Sequence, residues 1–180
     1  MKKKTLITTV LLICINSIYS QNWKSYFQFG VGTGYLNDAD IRDSPYLMIE
    51  YGKTYKWIDI AGALEYAPEY NKYSNNTKKF ISLIVKTKLD VVRMFVEDSP
   101  HSFKLGMGIG IGTTNLYHWR NVPDNNIVES NASLYYLNSV MASYEYRISE
   151  KTSLGVFFNN YTENNFFGLH NLGLSVRRDL

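Results

Sequence analysis

The sequence predicts an all-β fold: a closed, antiparallel, eight-stranded transmembrane β-barrel with up-and-down topology. Three observations predict it. Apolar residues recur with period two in eight successive segments, the charges of those segments gather on one face, and short connections alternate with long ones. The chain has 180 residues, one domain's worth, with 19 Lys and Arg against 16 Asp and Glu. Without Lys2, Lys3 and Lys4 the two signs balance at 16 each. A neutral chain lacks the basic footprint that binding to phosphate backbones needs, so no nucleic-acid partner is expected.

Residues 1–20, MKKKTLITTVLLICINSIYS, combine three lysines, an apolar run from Leu6 to about Ile15 and a small residue, Ser20. This is the anatomy of a secretory signal peptide, with cleavage expected before Gln21 and the barrel domain over 21–180. The apolar run is short for the roughly 20 residues of a spanning helix. Bulky Ile13 precedes Cys14, where lipoprotein signals carry Gly or Ala. Residues 21–180 contain no cysteine, so disulfide and thiol chemistry are not expected there.

The segments follow in order. In the first, Trp23, Ser25, Phe27, Phe29, Val31, Thr33 and Tyr35 share one face, and Lys24, Tyr26, Gln28, Gly30, Gly32 and Gly34 the other. The second sets Leu47, Ile49 and Tyr51 against Met48, Glu50 and Gly52. In the third, Ile58, Ile60, Gly62, Leu64 and Tyr66 oppose Trp57, Asp59, Ala61, Ala63 and Glu65. The fourth sets Ile81, Leu83, Val85, Thr87 and Leu89 against Ser82, Ile84, Lys86, Lys88 and Asp90. The fifth is the most regular: Phe103, Leu105, Met107, Ile109 and Ile111 alternate with Lys104 and four glycines, Gly106, Gly108, Gly110 and Gly112. The sixth runs from Leu134 to Ile148, with Glu145 and Arg147 on its polar face. Leu154, Val156 and Phe158 mark the seventh, and Leu172, Leu174 and Val176 the eighth, opposite Ser175, Arg177 and Asp179. Short links are expected at 53–56, 97–102 and 149–152, and longer loops at 36–45, 67–78, 115–131 and 161–168. An even strand count with short turns on one rim is the habit of transmembrane barrels.

Charge sorting identifies the faces. Lys24, Lys86, Lys88, Lys104, Arg147 and Arg177 share one face with Glu50, Asp59, Glu65, Asp90, Glu145 and Asp179. The other face carries almost no charge, as a lipid-facing wall requires. The alternative is a soluble barrel of lipocalin type with the apolar face inward. Aromatics flanking the apolar band, among them Trp23, Tyr35, Tyr51, Tyr66, Tyr144 and Tyr146, favour lipid, as does a glycine-rich polar face suited to a cramped lumen. Eight strands enclose just enough room for their own side chains, so the six acids and six bases are expected to pair into a plug.

The signal followed by Gln21, the GMGIGIG strand at 106–112 and the final LGLSVRRDL segment resemble the small eight-stranded outer-membrane barrels of the OmpA transmembrane-domain type, especially those of Bacteroidota. The resemblance covers about residues 22–180. It implies a location in the outer membrane, lipid as the neighbour and no particular activity.

The search for chemistry returns little. The GMGIGIG glycines recur at i+2 within a strand, which does not match a dinucleotide fingerprint opening a helix. His101, His118 and His170 lack metal-ligand spacing, so no metal, cofactor or catalytic residue is assigned. Lipid A deacylases of this barrel type carry a His-x-Ser-Asn run near their last strands, whereas residues 159–164 here read NNYTEN. His170 and Ser175 also differ in strand parity. An aromatic and cationic cluster, Tyr117, His118, Trp119 and Arg120, is the candidate contact site; the same residues suit a membrane interface. The expected function is that of a non-enzymatic structural or accessory subunit of a larger outer-membrane assembly, with lipid and other outer-membrane proteins as partners. The alternatives are ligand binding or adhesion through the long loops and, third, lipid A modification.

Overall fold

A computed structural model of the chain describes residues 23–36, 44–71, 76–120, 127–163 and 168–180. The expected signal peptide and Cys14 lie outside these residues. Eight strands follow one another: β1 (Lys24–Leu36), β2 (Ser44–Tyr55), β3 (Ile58–Asn71), β4 (Asn76–Asp90), β5 (His101–Arg120), β6 (Ile127–Arg147), β7 (Thr152–Glu163) and β8 (Gly168–Asp179). Each pairs antiparallel with the next, and β8 pairs with β1 to close the barrel. Closure matters physically, because no sheet edge is left with unpaired backbone groups in hydrocarbon.

The alternation seen in the sequence becomes inside and outside. Glu50, Glu65, Lys86, Lys104 and Arg177 are buried, while Phe29, Ile49, Leu83, Ile109 and Leu174 are exposed. An interior of charges inside a wall of bare Leu, Ile, Val and Phe is the inverse of a soluble barrel, and hydrocarbon is the solvent that such a wall requires. This decides against the lipocalin-type alternative. Leu83→Arg, in the middle of β4, is expected to lower unfolding free energy in lipid vesicles by about 2–4 kcal/mol. A near-neutral result in urea titrations would mean that this wall does not face lipid.

The connections differ from expectation in three places. β5 and β6 continue as a paired ladder to Arg120↔Ile127, so most of the loop expected at 115–131 is strand. β3 and β4 likewise pair out to Asn71↔Asn76, within the loop expected at 67–78. Beyond the membrane a ladder no longer needs an apolar face, so its period-two signal fades while its hydrogen bonds persist. On the opposite rim, the β4–β5 link spans residues 91–100 rather than 97–102. It is a compact turn in which the Met94 N–H donates to Asp90 O (3.2 Å) and the Val96 N–H to Val92 O (2.9 Å). The other two turns on this rim are tight; Lys56 takes a positive φ of 51° in the β2–β3 turn.

Candidate functional site

The lumen is where most of the chain's charge chemistry is collected. Lys86, Lys88, Lys104 and Arg177 are buried with Glu50, Glu65, Asp59 and Glu145, four cations against four carboxylates. Toward the loop side, Lys86 Nζ lies 2.6 Å from Glu65 and 3.5 Å from Glu50, and Lys88 pairs with Glu50. Toward the turn side, Lys104 Nζ lies 2.9 Å from Asp59 and 2.8 Å from Glu145. Arg177 reaches Asp59 at 2.7 Å, donates to Thr54 Oγ1 at 2.6 Å and meets Asp179 at 3.0 Å. Tyr26 joins the two groups. Its hydroxyl donates to Glu50 (2.8 Å), and its ring lies 3.7 Å beneath the Arg177 guanidinium. Isolated ions in such a place would each cost several kcal/mol, so this stoichiometry is what lets the interior be charged at all.

Period-two spacing puts these groups inside because each comes from an even or odd set of one strand. The register then brings them level: Asp59 faces Lys88 across β3–β4, and Asp90 faces Lys104 across β4–β5. A fifth buried carboxylate, Asp90, is served by the turn beside it. It accepts the Ser102 hydroxyl (2.5 Å) and the Arg93 backbone N–H (3.1 Å) and pairs with the Arg93 side chain. Three charges expected on the inner face contribute less: Lys24 is exposed at the rim, and Arg147 and Asp179 are half-buried.

Above the ionic layer the lumen turns aromatic. Tyr46, Phe80, Phe157 and Tyr161 pack with Met48, Ile84 and Leu137 in a single cluster. Tyr46 and Tyr161 share a hydroxyl contact at 3.4 Å, and Asn159 donates to Tyr46 at 3.3 Å. Between the two layers, the space bounded by Gln28, Glu50, Lys88 and Phe157 is about 10 Å³, no more than a single water needs. Among the described residues, these two layers are filled by their own side chains.

The other candidates are dispersed. Ser175 faces the lumen and accepts from Gln28 Nε2 (3.0 Å), whereas His170 stacks on Phe158 of the outer wall. They stand on opposite sides of the sheet and cannot act as nucleophile and base. His101 opens β5 and its Nδ1 is hydrogen-bonded to the Tyr144 hydroxyl at 2.6 Å. No cluster of three potential metal ligands occurs among the described residues. Tyr117, His118, Trp119 and Arg120 end β5, paired with Ser130, Glu129, Val128 and Ile127 of β6. Their side chains lie outside the described residues, so the contact role expected for them keeps only its location, the far end of the longest hairpin.

No family model matches the chain, and no curated protein matches it by sequence. Solved structures do match. Neisserial surface protein A aligns with a TM-score of 0.65 at 12% identity, over 88% of this chain and 97% of that one. Ail, the attachment invasion locus protein of Yersinia pestis, aligns with a TM-score of 0.61 at 8% identity, over 87% and 98%. The N-terminal β-barrel domain of Pseudomonas aeruginosa OprF gives 0.51 at 13% identity, over 89% and 98%. At these identities the likeness is one of fold: this chain has the fold of the small eight-stranded outer-membrane barrels.

Proposed function

We propose that this protein is a non-enzymatic barrel of the outer membrane that works by contact, as a structural or accessory subunit of a larger outer-membrane assembly. The observation that carries this reading is the closed lumen. With four buried cations paired to four carboxylates beneath an aromatic layer, the described interior is taken up by its own side chains. What remains to act with is the outer wall and the two rims. Exposed Tyr51, Tyr136, Tyr144 and Tyr146 give that wall side chains suited to protein as well as lipid neighbours. The test is a mild-detergent pull-down of the tagged chain from native membranes with quantified co-purifying proteins. Stoichiometric recovery of one large complex is expected; recovery of the barrel alone would sink the accessory role.

A second reading is surface binding, and one observation favours it. β5 and β6 have 20 and 21 residues against 12–15 for the other strands, so one hairpin outgrows the barrel on the loop side. Its end carries Tyr117, His118, Trp119 and Arg120, residue types favoured at contact hot spots. Replacing those four by serine should abolish surface attachment and leave the complex in the pull-down intact if this reading holds.

A further inference from the structure

The described outer wall has a gap at Gly62. Across β2, β3 and β4 the row Tyr51–Gly62–Val85 puts a glycine between two large exposed side chains. A Cβ built on Gly62 would meet nothing within 4 Å, whereas one on Gly32, Gly52, Gly110 or Gly173 would collide with a neighbouring strand or side chain. The result is an open groove of about 390 Å³ along β3, walled by Tyr51, Val85, Ile60 and Trp23, with Lys53 at one end. That volume lies within the roughly 300–1,000 Å³ of ligand sites.

The two ends of the groove differ in chemistry. Lys53 is a charged side chain on the outward face of β2, exposed beside the short-turn rim. A cation on the outer wall must reach the headgroup layer, which sets the height of Lys53. Next to it Trp23 and Tyr55 lie with ring centroids 5.6 Å apart, and Lys56 Nζ stands 5.6 Å over the Tyr55 ring. The Trp23 indole N–H finds no acceptor in the protein. Away from Lys53 the groove is apolar and continues into the lipid-facing band at Leu64.

We infer that this groove seats one glycerophospholipid of the short-turn leaflet, an acyl chain over Gly62 and the phosphate at Lys53. The argument is charge complementarity at one end and continuity with the lipid-facing wall at the other. A phospholipid has that polarity, an apolar chain continuous with an anionic headgroup. The inference concerns a bound lipid and stands apart from the accessory role.

Native mass spectrometry of the intact barrel, released from nanodiscs of phosphatidylethanolamine and phosphatidylglycerol, tests it. One phospholipid should stay bound after all others are stripped. Gly62→Leu, which fills open space, should abolish that retained lipid while the barrel keeps its heat-modifiable folded mobility. Val85→Trp, covering the slot from the neighbouring strand, should do the same, and Lys53→Gln should weaken retention about fivefold. Retention by Gly62→Leu equal to wild type would overturn the assignment. So would a wild-type barrel that sheds every lipid at once, or a Gly62→Leu barrel that loses a co-purifying protein instead.

Discussion

Arg177→Met is expected to lower the unfolding free energy of the barrel by about 3–5 kcal/mol, the usual cost of removing one partner from a buried ionic network. The side chain holds Asp59 at 2.7 Å, Thr54 at 2.6 Å and Asp179 at 3.0 Å, and lies over the Tyr26 ring. Without it, Lys104 is left to neutralise both Asp59 and Glu145. Urea titrations of the barrel in lipid vesicles measure the loss. The double variant Arg177→Met with Asp59→Asn removes one charge of each sign and should recover most of it. A single variant that unfolds at the wild-type midpoint would mean that water already reaches the lumen, and the sealed plug would have to be abandoned.

Gly110→Val is expected to cost at least about 3 kcal/mol, at the upper end of the range for overpacking. A Cβ on Gly110 would collide with the backbone carbonyl oxygen of Leu83 and approach Ile84 Cα at 2.8 Å. Backbone of the adjacent strand cannot swing aside as a flexible side chain can. The wall curves so tightly here that β4 passes beneath β5, and a side chain on the inner face of β5 has no room. Gly62→Ala is the matched control, a glycine of the outer face with open space in front of it, and should change stability by no more than about 0.5 kcal/mol. Equal effects at the two positions would remove steric closeness as the reason for the glycine row in β5.

The strands and their faces were legible because the membrane imposes a chemical alternation on every residue within it. Leu83 and Lys86 could be assigned to opposite sides from parity alone, and the structure agrees. The end of β5 was not legible. From Asn115 to Arg120 the ladder holds by backbone hydrogen bonds, and those leave no trace in side-chain type. The ionic partners were visible only as a matched inventory of signs. That Lys86 goes to Glu65 and Arg177 to Asp59 follows from register and shear, which parity does not contain. The groove did leave a mark: Gly62 stands in the outward set between Ile60 and Leu64, a small residue in a row of large ones.

The closing pair of strands gives the ionic layer a place in the order of folding. Neighbouring hairpins close loops of a few residues, whereas β1 must find β8, with Gln28 and Ser175 147 positions apart. The Arg177–Asp59 bond spans 118 positions. Loop-closure entropy makes such contacts late and slow. Before they form, β1–β7 carry Glu50, Asp59, Glu65 and Glu145 with Lys86, Lys88 and Lys104, four carboxylates to three cations, and the guanidinium of Arg177 is the one still missing. Supplying the fourth cation and welding the seam are therefore one event. The last strand acts as a latch, and its arginine completes the charge balance of the lumen as it closes the ring.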